Sequence, residues 1–222
     1  MNDIRRSKPV LYYRWLVFLL AAGYSLYMMF FSSYAQLGGP FRFMTIWALL
    51  ASFFCASRMI AIMEDRSDMR WDAMVTITAV LNGMVVFLYW RLYFIDPALV
   101  NNDEPVWWRE YYLHLLGPML QWIDALFIHR GNRRPIRAAA GIAVFVSIYI
   151  AWIELIVQRF NTLPAGNVTS GLPYPFLNDM TAPDRISFYA SNFAIALIML
   201  TIVVILAAIL NRLLPRQPRT VP

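Results

Sequence analysis

One apolar stretch in the middle of the chain carries a histidine. Residues 107–127 read WWREYYLHLLGPMLQWIDALF, an apolar run with His114 in its first half. About 20 apolar residues is the length that an α-helix needs to cross roughly 30 Å of hydrocarbon. An imidazole at that depth is energetically costly and usually faces a cavity or a partner. The stretch therefore predicts a membrane-spanning helix and makes His114 a candidate functional residue.

The composition of the whole chain agrees with a membrane protein. Of its 222 residues, 60% are hydrophobic and 14% are charged, whereas soluble domains have about half apolar and a quarter charged residues. The net charge of +6 comes from Lys and Arg residues scattered between apolar blocks, so we expect no basic face that binds nucleic acid. Cys55 is the single cysteine, which excludes an internal disulfide, a zinc cluster and a thiol relay.

The same length criterion predicts an all-α fold, a single domain over residues 1–222 built as an integral membrane bundle of six transmembrane helices. Turn signals such as Gly38-Gly39-Pro40 separate the apolar runs. The predicted spans lie near residues 12–33, 42–63, 73–95, 106–127, 137–158 and 186–211.

The orientation follows from the positive charges. Fourteen of the nineteen Lys and Arg residues fall at the N-terminus, in the second and fourth loops and in the C-terminal tail. Because positive charges concentrate on the cytoplasmic side, both termini are predicted to lie in the cytoplasm. We expect a multi-pass protein of a bacterial inner membrane or, in a eukaryote, of the endoplasmic reticulum or plasma membrane.

Thr45 and His114 are predicted to lie at comparable depth below the outer interface, on the second and fourth spans. A hydroxyl and an imidazole that meet can act as nucleophile and general base in ester hydrolysis. The structural alternative for Thr45 is a hydrogen bond to the carbonyl one turn back or to a neighbouring helix. Spacing alone favours that alternative.

Further polar side chains could support such a pair. Asn192 and Ser191, at the start of the last span, could hold a developing oxyanion, and Asn82 is a weaker candidate for the same role. Glu154 could orient the imidazole, although an ion pair at the rim with Arg91 or Arg159 is favoured. The sequence predicts no metal site and no cofactor.

Other polar groups are interpreted as structural. Asp124 lies ten residues after His114, too far along the helix to orient it, and is predicted to pair with Arg130 or Arg133. His129 lies in a basic loop and is expected to be solvated. Asn167 begins a glycosylation sequon in a loop placed outside.

Three blocks of sequence carry a resemblance to a known family. They are GGPFRFMT at 38–45, Leu113-His114 followed ten residues on by Asp124, and YPFL at 174–177 leading to Arg185, Phe188 and Ser191. In order and spacing these blocks resemble the androgen-induced-gene family, which includes the androgen-dependent regulator of tissue-factor-pathway inhibitor and bacterial relatives. The resemblance extends from about residue 12 to residue 212.

The resemblance implies a function. The family's catalytic threonine and histidine fall on Thr45 and His114. Its animal members are threonine hydrolases that cleave fatty acid esters of hydroxy fatty acids without a metal or organic cofactor. The implied partners are therefore a lipid ester substrate and membrane lipids. The chain departs from the family at Ala48, where animal members often carry Asn or Asp, and at Tyr111, where they carry a second histidine.

The alternative function is a non-enzymatic transporter or a proton or ion pathway that uses His114, Asp124 and Glu154. Transporters tend to show internal repeats and paired Gly- or Pro-broken spans, whereas here only Gly117-Pro118 resembles such a break. A haem or quinone carrier is less favoured, because bis-histidine ligation needs two buried imidazoles and the sequence predicts one.

Overall fold

The computed structural model describes residues 7–32, 37–100, 106–131, 134–161 and 171–214. Regular secondary structure in these ranges is helical. The long helices are α1 (Lys8–Phe30), α2 (Met44–Met63), α3 (Asp72–Ile95), α4 (107–129), α5 (Pro135–Phe160) and α6 (Ala182–Leu213). Short helical turns cover Gly39–Arg42, Pro97–Leu99 and Pro175–Asn178.

Five of these helices are long and apolar enough to cross a membrane: α1, α2, α3, α5 and α6. The protein is therefore a multi-pass membrane protein, and the predicted positions of these five helices agree with the structure to within a few residues. α6 begins before the predicted residue 186 because Thr181 caps it: its Oγ1 accepts a hydrogen bond from the backbone N–H of Asp184 at 3.4 Å. The remaining predicted span, 106–127, corresponds to α4, whose helix is interrupted.

Two π-helical turns, Tyr112–Leu116 and Asp124–His129, interrupt α4. The first turn lies directly before Gly117-Pro118, and its cause is the proline. Pro118 has no N–H to donate to the carbonyl of residue 114, and its ring crowds that carbonyl. The freed carbonyl of His114 instead accepts a hydrogen bond from the indole Nε1 of Trp90 at 2.9 Å. The break in α4 thus fixes the backbone of His114 against α3.

The main core lies where α2, α3, α5 and α6 pack together. Small side chains at the contacts let the helix backbones approach closely. Ala48 is one of them and is 1% exposed. Members of this core include Ala48, Ala51, Val80, Leu81, Ala138, Ile142, Ala196 and Leu200.

The turn between α1 and α2 requires glycine. Gly38 and Gly39 have φ angles of 89° and 48°, in the left-handed region that L-residues with a Cβ avoid. A Cβ on Gly38 would lie 2.9 Å from Cγ of Arg42. The indoles of Trp47 and Trp152 hold the turn, since both donate to the carbonyl of Phe41, at 2.8 and 3.1 Å. This rigid turn sets the first residues of α2.

Candidate active site

Thr45 and His114 meet in the structure. Thr45 is the second residue of α2, and His114 lies in the first π-helical turn of α4. The distance from Thr45 Oγ1 to His114 Nε2 is 3.4 Å, a long hydrogen bond of the kind that tightens when substrate binds a catalytic pair. The two residues predicted to lie at comparable depth are thus brought into contact.

Glu110 completes the arrangement. Its Oε2 lies 3.2 Å from Nδ1 of His114, and its backbone carbonyl lies 3.1 Å from the same nitrogen. Both partners only accept hydrogen bonds, so the proton of a neutral His114 belongs on Nδ1 and the Nε2 lone pair faces Thr45. Arg109 Nε donates to the other carboxylate oxygen at 2.9 Å. Thr45, His114 and Glu110 form the hydroxyl, imidazole and carboxylate of a triad.

The imidazole is held on its face as well as its edge. The ring of Tyr89, on α3, stacks on His114 with 3.6 Å between centroids and 8° between planes. His114 is 8% exposed. The stacking and the contacts of Nδ1 leave the ring little freedom to rotate. The bond from Trp90 holds the backbone of His114. Such positioning is what a general base needs.

The pair lines an apolar pocket of about 670 Å³, a size typical of small-molecule binding sites. Leucine, methionine, valine, isoleucine and phenylalanine side chains form most of its wall, and they come from all six long helices and from the segments between them. Arg42, Arg109, Glu110 and Asn192 supply polar groups. The pocket can hold a long acyl chain with a polar group beside Thr45.

The predicted supporting residues divide into two groups. Asn192 lines the pocket, but its Nδ2 donates to the carbonyl of Phe188 at 2.8 Å and its buried Oδ1 has no hydrogen-bond partner. Asn82 lies on the other side of Thr45, beside a small cavity of about 10 Å³, and its amide donates to Ser52 Oγ at 2.8 Å. Each asparagine therefore lines a cavity that Thr45 also lines. The Asn82 amide donates to two protein groups, whereas one of the two N–H groups of Asn192 is bonded, to the Phe188 carbonyl.

Ser191 and Glu154 lie away from the pair. Ser191 is exposed and donates to the Phe188 carbonyl at 2.8 Å. Glu154 forms an ion pair with Arg185 at 2.9 Å and accepts a hydrogen bond from Tyr189 at 2.7 Å. The predicted rim ion pair of Glu154 thus exists, but its partner is Arg185 rather than Arg91 or Arg159.

Two expectations about polar residues were wrong. Asp124 pairs with Arg14 of α1, at 2.8 and 3.0 Å, instead of Arg130. Sequence spacing could not reveal this partner, because Arg14 and Asp124 are far apart in the sequence and meet only where α1 packs against α4. His129 is not solvated: it is 7% exposed and its Nε2 lies 2.7 Å from the Asp72 carboxylate. Arg133 and the Asn167 sequon lie outside the described residues.

The sequence reading missed Glu110. A signal for it existed, because side chains four residues apart share a helix face and Glu110 precedes His114 by four. Among the described residues, no group of three or more His, Cys, Asp or Glu side chains could hold a metal ion.

These observations define a class, a multi-pass helical membrane protein with a hydroxyl, an imidazole and a carboxylate at the wall of an apolar pocket. The model of the FAR-17a/AIG1-like protein family matches residues 13–211, so the chain belongs to this family. The androgen-induced-gene family expected from the three sequence blocks is thereby confirmed. Searches of curated proteins and of solved structures returned no match.

Proposed function

We propose that the protein is an intramembrane lipid ester hydrolase with Thr45 as nucleophile and His114 as general base. The observation that carries the proposal is the 3.4 Å approach of Thr45 Oγ1 to His114 Nε2, with Glu110 on the opposite nitrogen of the ring. A threonine with a purely structural role needs neither a positioned imidazole nor a carboxylate behind it.

The reaction follows from this geometry. His114 Nε2 takes the proton of Thr45 as Oγ1 attacks the ester carbonyl, and the Glu110 carboxylate stabilises the imidazolium that forms. The imidazolium then gives its proton to the departing alkoxide, which leaves as an alcohol. Water, deprotonated by His114, attacks the acyl-threonine carbonyl, the acyl–Oγ1 bond breaks, and the proton returns to Oγ1. The free acid is released.

The start of α2 supplies an oxyanion donor. Thr45 is the second residue of that helix, so its backbone N–H has no partner within the helix. The positive end of the helix dipole points toward the same place. The proposed donor to the tetrahedral intermediate is therefore the N–H of Thr45. One of the two N–H groups of the Asn192 amide is bonded to the Phe188 carbonyl.

The substrate class comes from the family resemblance and the pocket. Fatty acid esters of hydroxy fatty acids are two acyl chains joined by an ester, and the pocket walls are mostly apolar.

In the alternative proton pathway, His114, Asp124 and Glu154 would act in series. In the structure they stand in three separate pairings, with Glu110, Arg14 and Arg185 respectively.

Hydrolysis of a fatty acid ester of a hydroxy fatty acid by the purified protein tests the proposal. Wild-type protein releases the free acid, and Thr45→Ala and His114→Ala each abolish release while retaining the thermal unfolding temperature of the wild type in detergent. Thr201→Ala is the matched control, because Thr201 is exposed and bonds the Leu197 carbonyl of its own helix. Full activity in either site variant would overturn the mechanism.

The proposal includes six crossings with both termini in the cytoplasm. At about 1.5 Å per residue, α4 is long enough to cross roughly 30 Å of hydrocarbon. Single cysteines introduced in the 64–70 loop and at 98 are predicted to react with a membrane-impermeant thiol reagent from opposite sides. Cys55 is fully buried and gives little background. Labelling of both positions from one side would contradict this topology.

A further inference from the structure

Arg42 is a buried cation in the pocket wall, and no carboxylate of the described residues pairs with its guanidinium. The residue is 9% exposed, and its Nε is buried with no hydrogen-bond partner. In the described part of the chain, no carboxylate forms an ion pair with Arg42. A buried charge is costly unless it is paired. A guanidinium left in this state beside a cavity indicates that a ligand provides the partner.

The side chain is held in place before any ligand arrives. Its stem packs over Gly38, where a Cβ would lie 2.9 Å from Arg42 Cγ, and the Tyr149 hydroxyl donates to the Arg42 backbone carbonyl at 2.8 Å. The guanidinium carbon lies 5.5 Å from the centre of the Phe43 ring. Binding to a group fixed in advance avoids the entropy cost of ordering it.

The charge of Arg42 is not balanced within the pocket. Glu110 is the one carboxylate among the described lining residues, and it is bonded to His114 and Arg109. Burial lowers the pKa of Arg42 from its usual value, although a guanidinium stays protonated in proteins. An anion in the pocket would relieve this unfavourable burial.

We propose that Arg42 binds the carboxylate of a fatty acid chain that occupies the pocket. The inference rests on the proposed function, and it assigns the polar end of the substrate. The free Nε–H and a neighbouring N–H of a guanidinium match the two oxygens of a carboxylate, and one positive charge matches one negative charge. Arg42 and Thr45 line the same pocket, so a chain anchored at Arg42 shares that pocket with the proposed nucleophile. A fatty acid that the reaction releases binds to Arg42 through its own carboxylate.

Ligand binding tests this proposal independently of hydrolysis. The probes are oleate, oleyl alcohol and oleyl phosphate, each competed against a fluorescent fatty acid on purified full-length protein in detergent. Wild-type protein binds oleate about 10- to 100-fold more tightly than oleyl alcohol, as expected for a charge-assisted pair. Arg42→Gln loses this preference and Arg42→Lys keeps part of it. Arg91→Gln, an exposed arginine outside the pocket, keeps all of it.

Three outcomes would overturn the proposal. They are equal binding of oleate and oleyl alcohol to the wild type, an unchanged preference in Arg42→Gln, and tighter binding of oleyl phosphate than of oleate. The first and third comparisons use wild-type protein alone and do not depend on whether a variant folds. An Arg42-dependent preference for oleate in a protein that hydrolyses no ester would retain this site and remove only the proposed reaction.

Discussion

At the scale of single residues, Glu110 distinguishes the proposed catalytic arrangement from a chance contact between a hydroxyl and an imidazole. It fixes the Nδ1 proton of His114 by two contacts, of 3.2 and 3.1 Å, and it is itself held by Arg109. A hydroxyl beside an imidazole is common in helical proteins, but the carboxylate behind the imidazole makes the ring a base of defined orientation.

Replacing Glu110 with glutamine therefore tests the triad. Glu110→Gln removes the charge that stabilises the imidazolium and keeps the side-chain shape. We expect kcat to fall by about 10² to 10⁴, with little change in KM. The measurement is steady-state ester hydrolysis. Glu64→Gln, in a partly exposed ion pair with Arg66 at the end of α2, is the matched control and leaves kcat unchanged. A Glu110→Gln enzyme as active as this control would rule out the role of the carboxylate.

At the residue level, the sequence predicted that Thr45 and His114 lie at comparable depth, and the structure brings them within 3.4 Å of each other; it did not single out Glu110 or Arg42. The comparable depth could be predicted because depth in a membrane follows from counting residues along each span. Asn82 was predicted as a donor, but its amide joins α2 to α3 through Ser52. The hydrogen bonds of a buried amide depend on the side chains of the neighbouring helix. The pattern of residues along one helix does not show them.

At the scale of elements, the Gly38-Gly39 turn positions both Arg42 and Thr45. Gly38→Ala places a Cβ in the left-handed region, at about 1–2 kcal/mol, and pushes on Arg42. We expect activity to fall on the order of 10- to 100-fold because the start of α2 shifts. Gly23→Ala in α1 is the matched control: a Cβ there meets nothing within 4 Å, and helix propensity predicts about 1 kcal/mol of stabilisation. Equal activity of the two variants would refute the positioning role of the turn.

The Arg14–Asp124 ion pair fastens α1 to α4. Arg14 is 4% exposed and its Nε lies 2.8 Å from Asp124. Removing one partner, as in Asp124→Ala, leaves a buried charge and should destabilise the protein by about 3–5 kcal/mol. The double replacement Arg14→Met with Asp124→Leu should be more stable than either single one.

Thermal unfolding in detergent measures these differences. The partly exposed Arg66–Glu64 pair is the control, and Arg66→Ala should change stability by at most about 1 kcal/mol. If Asp124→Ala unfolds at the wild-type temperature, the pair does not hold α1 to α4. The sequence predicted that Asp124 is structural, but its partner required the packing of the two helices.

At the scale of the whole molecule, the apolar helices followed from composition and segment length. Five of them match the predicted spans, because the bilayer sets helix length independently of tertiary contacts. The interrupted form of α4 was not predicted, although Gly117-Pro118 marked the place. The pocket could not be predicted, since its wall is made by residues of all six long helices and of the segments between them, and their packing is not visible in any one segment.

Covalent labelling of Thr45 tests whether Thr45 is a nucleophile that His114 activates. Purified protein is treated with a fluorophosphonate that carries a long alkyl chain, digested with trypsin, and the peptide of residues 43–58 is examined by mass spectrometry. The proposed mechanism predicts an adduct on the Thr45 hydroxyl in the wild type and none in Thr45→Ala. In His114→Ala, labelling should be slower by about 10² or more. An adduct on another residue with Thr45 unmodified, or equal labelling rates with and without His114, would contradict it.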